Sequence, residues 1–234
     1  MCAPTLPGMK VTIKCAPSYA MGYCHLDDGE SVYAESGAMV AMSPGVVVSA
    51  GAGGSITRGL LRKALGGESF LLGKYTATQY GAWVAFAPPL PGDMIAVDLA
   101  VTGQLYSQTG SMLAYDENVS VSVTKGTVAT AVMAEGVTLL AAEGSGQVLL
   151  CSYGGIQRFD LDANQSVIID TGHLVAYTRS CSTEAGMVGS AAASAASGEG
   201  LAMRVRGPGI VWIQTRAEQA LTSWLLPKRG QNRR

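Results

Sequence analysis

Two histidines, His25 and His173, five cysteines and seventeen carboxylates are the groups from which any acid-base, thiol or metal chemistry of this 234-residue chain would have to be built. A metal centre needs three or four such ligands converging, and a nucleophile needs an adjacent base. The cysteines, Cys2, Cys15, Cys24, Cys151 and Cys181, form no CxxC pair and are odd in number. That usage fits a reducing compartment in which thiols serve as small apolar residues. Standard catalytic loops each fail at one residue. Gly51-Ala-Gly53-Gly-Ser-Ile56 lacks the third glycine of a dinucleotide loop. Gly73-Lys74-Tyr75 has the wrong residue after lysine for a phosphate-binding loop, and Glu143-Gly-Ser145-Gly146 lacks the first glycine of a nucleophile elbow. Trp83, Trp212 and Trp224 could stack a base or cap a pocket, but their apolar settings mark them as core or interface anchors.

The histidines and carboxylates are judged best by an internal comparison, because one thirteen-residue pattern occurs three times. Glu30-Ser-Val-Tyr-Ala-Glu-Ser-Gly37-Ala-Met-Val-Ala-Met42 matches Gly103-Gln-Leu-Tyr-Ser-Gln-Thr-Gly110-Ser-Met-Leu-Ala-Tyr115 and Gln165-Ser-Val-Ile-Ile-Asp-Thr-Gly172-His-Leu-Val-Ala-Tyr177. The match extends backwards, with Leu26, Leu99 and Leu161 eleven residues before each glycine and Cys24, Val97 and Phe159 thirteen before. Spacing of two marks one face of a strand. His25 therefore takes the place of Asp98 and Asp160, and His173 that of Ala38 and Ser111. Glu35, Gln108 and Asp170 share a position ahead of a Ser/Thr-Gly pair, where a side chain serves turn N–H groups more readily than catalysis. No catalytic, cofactor-binding or metal-ligating set is assigned, and an enzyme is not expected.

Each half of the pattern reads as a short strand, and the Ser/Thr-Gly pair as the turn between them. Gly37, Gly110 and Gly172 are structural turn glycines, worth roughly 1 to 3 kcal/mol each if their φ is positive. A closing strand follows every copy: Gly81-Ala-Trp-Val-Ala-Phe86, Gly146-Gln-Val-Leu-Leu-Cys151 and Gly209-Ile-Val-Trp-Ile-Gln214. Apolar on both faces, such strands are sandwiched or lie at a subunit interface. Between motif and closing strand come variable stretches. These are Gly59–Leu65, which suggests one or two helical turns, Gly126–Met133, and a third in which Ala185–Gly198 reads as a mobile loop or small-residue packing segment. After Thr215 the spacing turns helical, with Leu221, Trp224 and Leu225 on one face until Pro227. That helix is expected to dock on the body or on a neighbouring subunit.

The predicted fold is all-β: three tandem β-sandwich or double-stranded β-helix-like repeats in one compact unit, with a short C-terminal α-helix. Residues 1–9 read as an N-terminal extension. Residues 10–91, 92–154 and 155–216 are the repeats, and 217–234 the helix and a basic tail. A chain this long buries roughly 70% of its unfolded surface and needs no staples. Charged residues make up 14%, against about 25% in typical domains, so the surface favours self-association. Five basic residues and one acid fall in 216–234, leaving eleven basic against sixteen acidic before it. That acidic body argues against nucleic acid as a partner. Residues 36–57 carry no charge, but Ser43-Pro44-Gly45 and Gly51-Ala52-Gly53-Gly54 divide them into two strands joined by turns, so no transmembrane segment is assigned. The N-terminus has neither an apolar secretory core nor an Arg-rich transit pattern, so a cytoplasmic protein is expected.

Several separated motifs in order, Gly29-Glu30-Ser31-Val32 through Gly37-Ala38-Met39-Val40, Gly67-Glu68-Ser69-Phe70, Pro91-Gly92-Asp93, Gln108-Thr-Gly110-Ser111, and Gly207-Pro208-Gly209 leading to Gln214-Thr215-Arg216, resemble the altered inheritance of mitochondria protein 24 family. The resemblance implies three β-repeats per chain, each similar to the subunit of the tryptophan RNA-binding attenuation protein. It also implies a homotrimer whose nine repeats close into a ring, and a family with no established catalytic residues. Fungal mitochondrial members are associated with inner-membrane organisation, which makes a mitochondrial location the alternative to a cytoplasmic one. The expected function is a non-enzymatic oligomeric β-scaffold presenting a surface to protein partners. The other expectation is a small-ligand or nucleic-acid binding module that uses crevices between repeats.

Overall fold

The computed structural model describes residues 8–51, 72–124, 138–187 and 201–226. The stretches Gly59–Leu65 and Gly126–Met133, most of the N-terminal extension and the basic tail lie outside the described residues. Of Ala185–Gly198, only residues 185–187 lie within them. In chain order the first part holds β1 (Lys10–Lys14), β2 (Met21–Leu26), β3 (Ser31–Glu35), β4 (Met39–Met42), β5 (Val46–Gly51), β6 (Leu72–Ala77) and β7 (Ala82–Phe86). Then follow β8 (Met94–Asp98), the single turn α1 (Leu99–Thr102), β9 (Leu105–Gln108), β10 (Met112–Asp116), β11 (Val119–Val123), β12 (Leu139–Gly144) and β13 (Gln147–Cys151). The last part holds β14 (Ile156–Leu161), β15 (Ser166–Asp170), β16 (Leu174–Thr178), β17 (Ser182–Met187), β18 (Leu201–Arg206), β19 (Gly209–Gln214) and α2 (Glu218–Leu225).

These strands form four antiparallel sheets. Sheet I runs β1-β2-β7-β4, sheet II β5-β6-β3-β10-β13-β8, sheet III β11-β12-β9-β16-β19-β14, and sheet IV β15-β18-β17. The first halves of the three motif copies are β3, β9 and β15, and the second halves are β4, β10 and β16. Each second half pairs with its closing strand, β7, β13 or β19, and all three pairs shift register at the same point, after Met39, Met112 and Leu174. A bulge repeated at one motif position is a built feature of the strand. The motif does not, however, fold back on itself as a hairpin. In sheet II, β3 pairs with β10, and in sheet III, β9 pairs with β16, so each central sheet joins a first half to the second half of the following copy.

Three apolar cores fill the spaces between successive sheets. Cys24, Leu26, Val84 and Phe86 of sheet I meet Val32, Ala34, Leu113 and Leu149 of sheet II. On its other face sheet II offers Val97, Met112, Tyr115, Val148 and Leu150 to Leu105, Leu140, Val175 and Trp212 of sheet III. Leu139, Leu174, Tyr177 and Val211 of sheet III then cover Ile169, Met203 and Val205 of sheet IV. Sheets II and III thus have a core on both sides, which is why β13 and β19 are apolar without alternation.

Candidate functional site

The same motif strand meets two different environments. In β10 and β16 every residue is buried, whereas in β4 every residue is exposed. Val40 is 55% accessible, while its counterparts Leu113 and Val175 are at 1% and 0%. The difference is not in composition: Met-Val-Ala-Met, Met-Leu-Ala-Tyr and Leu-Val-Ala-Tyr are equivalent apolar strands. It arises because β10 is covered by β3, and β16 by β9, while β4 ends sheet I with no strand beyond it among the described residues. At the far end of the molecule β15 is the matching edge of sheet IV. Its Ile168 is 52% accessible, whereas its counterparts Tyr33 and Tyr106 are half-buried. Unpaired N–H and C=O groups along a flat apolar edge template the addition of another strand.

The turns between motif halves lie close to the start of α2. Gly37 has φ +88°, as only glycine adopts readily, and among the described residues no atom lies within 4 Å of the position a Cβ would take. Gly110 and Gly172 instead sit within 3₁₀ turns, Thr109–Ser111 and Thr171–His173, and φ is not positive at either. The positive-φ expectation therefore holds for one of the three turn glycines, since a 3₁₀ turn keeps the chain in the ordinary helical region. A Cβ on Gly110 would sit 3.5 Å from Glu218 Oε1, and one on Gly172 would sit 3.3 Å from both Ala217 Cβ and Gln219 Oε1. The three polar residues before the turns diverge in role. Asp170 accepts a hydrogen bond from Gly172 N at 2.8 Å, as expected of a turn acceptor. Gln108 instead donates through Nε2 to the Thr171 carbonyl of the next turn. Burial, and then the nearby Glu218 carboxylate, push the Glu35 carboxyl above its ordinary range.

The histidines remain apart. His25 is exposed on sheet I between Lys10 and Trp83, and His173 shares a hydrogen bond of 2.8 Å between Nδ1 and the Gln214 carbonyl. Asp98 caps α1 by accepting from Ala100 N at 2.8 Å. Arg158 holds the Asp160 carboxyl below its usual range through their hydrogen bond. Among the described residues no three His, Cys, Asp or Glu side chains gather as a metal would require. Cys24, Cys151 and Cys181 are buried and Cys15 is exposed; burial pushes the Cys24 thiol up to about 12, far from a reactive thiolate.

The tryptophans separate as well. Trp212 is in the core between sheets II and III, not at a free interface, because β19 has cores on both faces. Trp83 is half-buried against Tyr23 at 5.4 Å between ring centroids. Trp224 is 76% accessible, with Leu225 and Leu226 beside it, and no side chain of α2 is buried. The expected docking of that helix on the body is thus confined to its first residues. One open crevice of about 360 Å³ lies between β8 and β14, lined by Ile95, Val101, Ile156, Trp212, Asp98 and Arg158.

These features define an all-β protein of stacked antiparallel sheets, with the apolar strands β4 and β15 as edges of its two end sheets among the described residues. The chain belongs to the mitochondrial biogenesis AIM24 family, whose model matches residues 11–216. It is 27% identical over 215 residues to a protein of Streptococcus pyogenes serotype M6 described as uncharacterised, covering 88% of this chain and 86% of that one. It also resembles the crystal structure of a Streptococcus pyogenes protein, with a TM-score of 0.75 and 25% identity over 93% of this chain and 98% of the other. No described helix is long and apolar enough to cross a membrane.

The open edges leave no mark in the sequence, because the exposed and buried copies are closely similar apolar strands. The signal was nonetheless latent in the repeat. If each copy lends its first half to the next, a linear series of three must leave one second half and one first half unmatched.

Proposed function

We propose that the chain is a non-enzymatic oligomeric β-scaffold whose assembled form presents a surface to protein partners. The observation that carries this reading is the exposure of Met39–Met42, a strand whose two counterparts are wholly buried. Exposed apolar patches rimmed by polar residues mark interaction sites, and a chain with only 14% charged residues offers little repulsion against self-association. A homotrimer is the assembly that the family resemblance implies. Sedimentation at micromolar concentration tests the reading, with a trimer expected and a stable monomer overturning it. The setting we propose for the scaffold is the cytoplasm, with a mitochondrial one as the alternative that the family description suggests.

The crevice between β8 and β14 favours a second reading, in which a small ligand binds between adjacent repeats. Its apolar walls, with the carboxylates of Asp93 and Asp98 and the guanidinium of Arg158 among the lining groups, suit a small amphipathic molecule. A thermal-shift screen of metabolites would show a rise in Tm for such a ligand. Nucleic acid fits less well, given the excess of five acidic residues before position 216.

A further inference from the structure

Resting on the scaffold reading, we infer that the crevice between β8 and β14 is where one protein partner docks. An extended segment of that partner adds as a strand to the free edge of β8, with two alternate apolar side chains turned into the crevice and a basic residue on either side of them.

The first junction of the stack shows what such a strand does. Sheets I, II and III share the orders β4-β7-β2, β10-β13-β8 and β16-β19-β14, but among the described residues only sheet I has a further strand, β1, beyond the last of these. β1 runs antiparallel to β2, with Val11 opposite Cys24, Thr12 opposite Tyr23 and Ile13 opposite Gly22. Val11 and Ile13 pack against the core between sheets I and II, and β1 lies beside β8, so this strand closes the edge of that junction. At the next junction the same place is the open crevice of about 360 Å³. Counted from the motif glycines, Val97, Ala96 and Ile95 stand in β8 where Cys24, Tyr23 and Gly22 stand in β2. Val97 and Ile95 face the core between sheets II and III and line the crevice, as do Ile156 and Trp212 of sheet III. A strand set on β8 as β1 is set on β2 therefore turns its residues opposite Val97 and Ile95 toward Ile156 and Trp212.

The backbone of β8 is open to this pairing at its centre. Leu99 N donates to the Gly146 carbonyl at 3.0 Å, and the Asp93 carbonyl accepts from Ser152 N at 3.1 Å, both on the side of β13. Alternation along an antiparallel strand then turns the N–H and carbonyl groups of Met94, Ala96 and Asp98 outward. Met94 N donates to Asp93 Oδ1 at 2.8 Å, and the Asp98 carbonyl accepts from the Thr102 hydroxyl at 2.9 Å. Ala96 is exposed between them, and among the described residues nothing bonds its outward groups. A peptide that extends a sheet edge gains affinity from main-chain bonds and specificity from pockets for alternate side chains. Charge adds to the selection. In the register of β1, Lys10 lies opposite His25, the counterpart of Asp98, and Lys14 opposite Met21, the counterpart of Met94 beside Asp93. Asp93 and Asp98 both line the crevice, whereas the cation there, Arg158, is already paired with Asp160. Opposite charges across a strand pair are favourable. The fitting segment thus reads basic, apolar, any residue, apolar, basic, as β1 itself does. Because β1 of each copy is committed to β2, the segment belongs to a different protein.

The probe is a labelled peptide, Gly-Met-Lys-Val-Thr-Ile-Lys, with the sequence of residues 8–14, titrated into the full chain. Saturable binding by fluorescence anisotropy is expected, and serine in place of its valine and isoleucine should abolish it. Ala96→Pro removes the outward N–H of an edge strand and leaves the bonds to β13 in place. Circular dichroism and sedimenting mass should then match the wild type while affinity falls about tenfold or more. Val101→Arg alters a side chain that is 82% exposed at the crevice, so the fold should again be kept and the basic peptide repelled. An oligomeric wild type that fails to bind the peptide, or binding that neither variant weakens, would overturn this docking and leave the scaffold reading standing. A monomeric wild type whose peptide binding is lost in Ala96→Pro would support the docking and overturn the scaffold reading alone.

Discussion

Position within the three motif copies controls what a residue does more than its type. Gly37 alone of the turn glycines stands at positive φ with nothing near its missing Cβ. Gly37→Val should therefore lose roughly 1 to 3 kcal/mol from backbone strain alone, whereas Gly110→Ala, with its nearest contact at an ordinary 3.5 Å, should lose much less; urea denaturation of both variants checks the contrast. Glu35 occupies the site where the second copy has Gln108, and its carboxyl is pushed up by burial and by Glu218. A raised carboxyl pKa means that the folded state holds the proton more tightly than the unfolded chain. Stability is then greatest below the unfolded value and declines as pH rises through the folded one. Glu35→Gln should raise Tm at pH 7.5 and show no gain near pH 4. Tyr115 buries a hydroxyl that finds no hydrogen-bond partner among the described residues. Leaving such a group unpaired is unfavourable, so Tyr115→Phe should be as stable as the wild type or up to about 1 kcal/mol more stable in the same denaturation assay.

Strands with nearly the same sequence differ in what protects them. Backbone amides of β10 and β16 bond to neighbours on both sides, while β4 has a partner on one side only. Amide exchange followed by mass spectrometry should find Met112–Asp116 and Leu174–Thr178 protected in every preparation. Met39–Met42 should be protected in an assembled wild type and exchange rapidly in a monomer. Protection of β4 in a proven monomer would show that something within the chain covers it. The helix α2 is the other element left open, with Trp224, Leu225 and Leu226 turned to solvent. Its amphipathic spacing was legible in the sequence. Its lack of a partner surface was not, because periodicity identifies an apolar face without saying what meets it.

The molecule is a stack in which each inner sheet serves two cores at once. Leu149 faces the core between sheets I and II, and its neighbours Val148 and Leu150 face the one between II and III. Leu149→Ala should cost about 2 to 5 kcal/mol. Because sheet II links both cores, the loss should appear as one cooperative shift of the unfolding curve. Two separated transitions by calorimetry would show instead that the cores melt independently.

The all-β class, the strand-turn-strand motif, the bulk apolar character of β13 and β19 and the position of the C-terminal helix were all set by local pattern. Alternation, turn chemistry and helical spacing are properties of neighbouring residues, and they are written directly in the chain. Strand partnership was decided only by tertiary structure. The sequence of β4, β10 and β16 is compatible equally with pairing inside one copy, with pairing to the copy before it, or with no partner at all. Only the folded stack shows that each motif reaches to the next, so that the first and third copies end the molecule with matching open edges. Partnership is long-range, and closely similar apolar strands carry no mark of which neighbour they will meet.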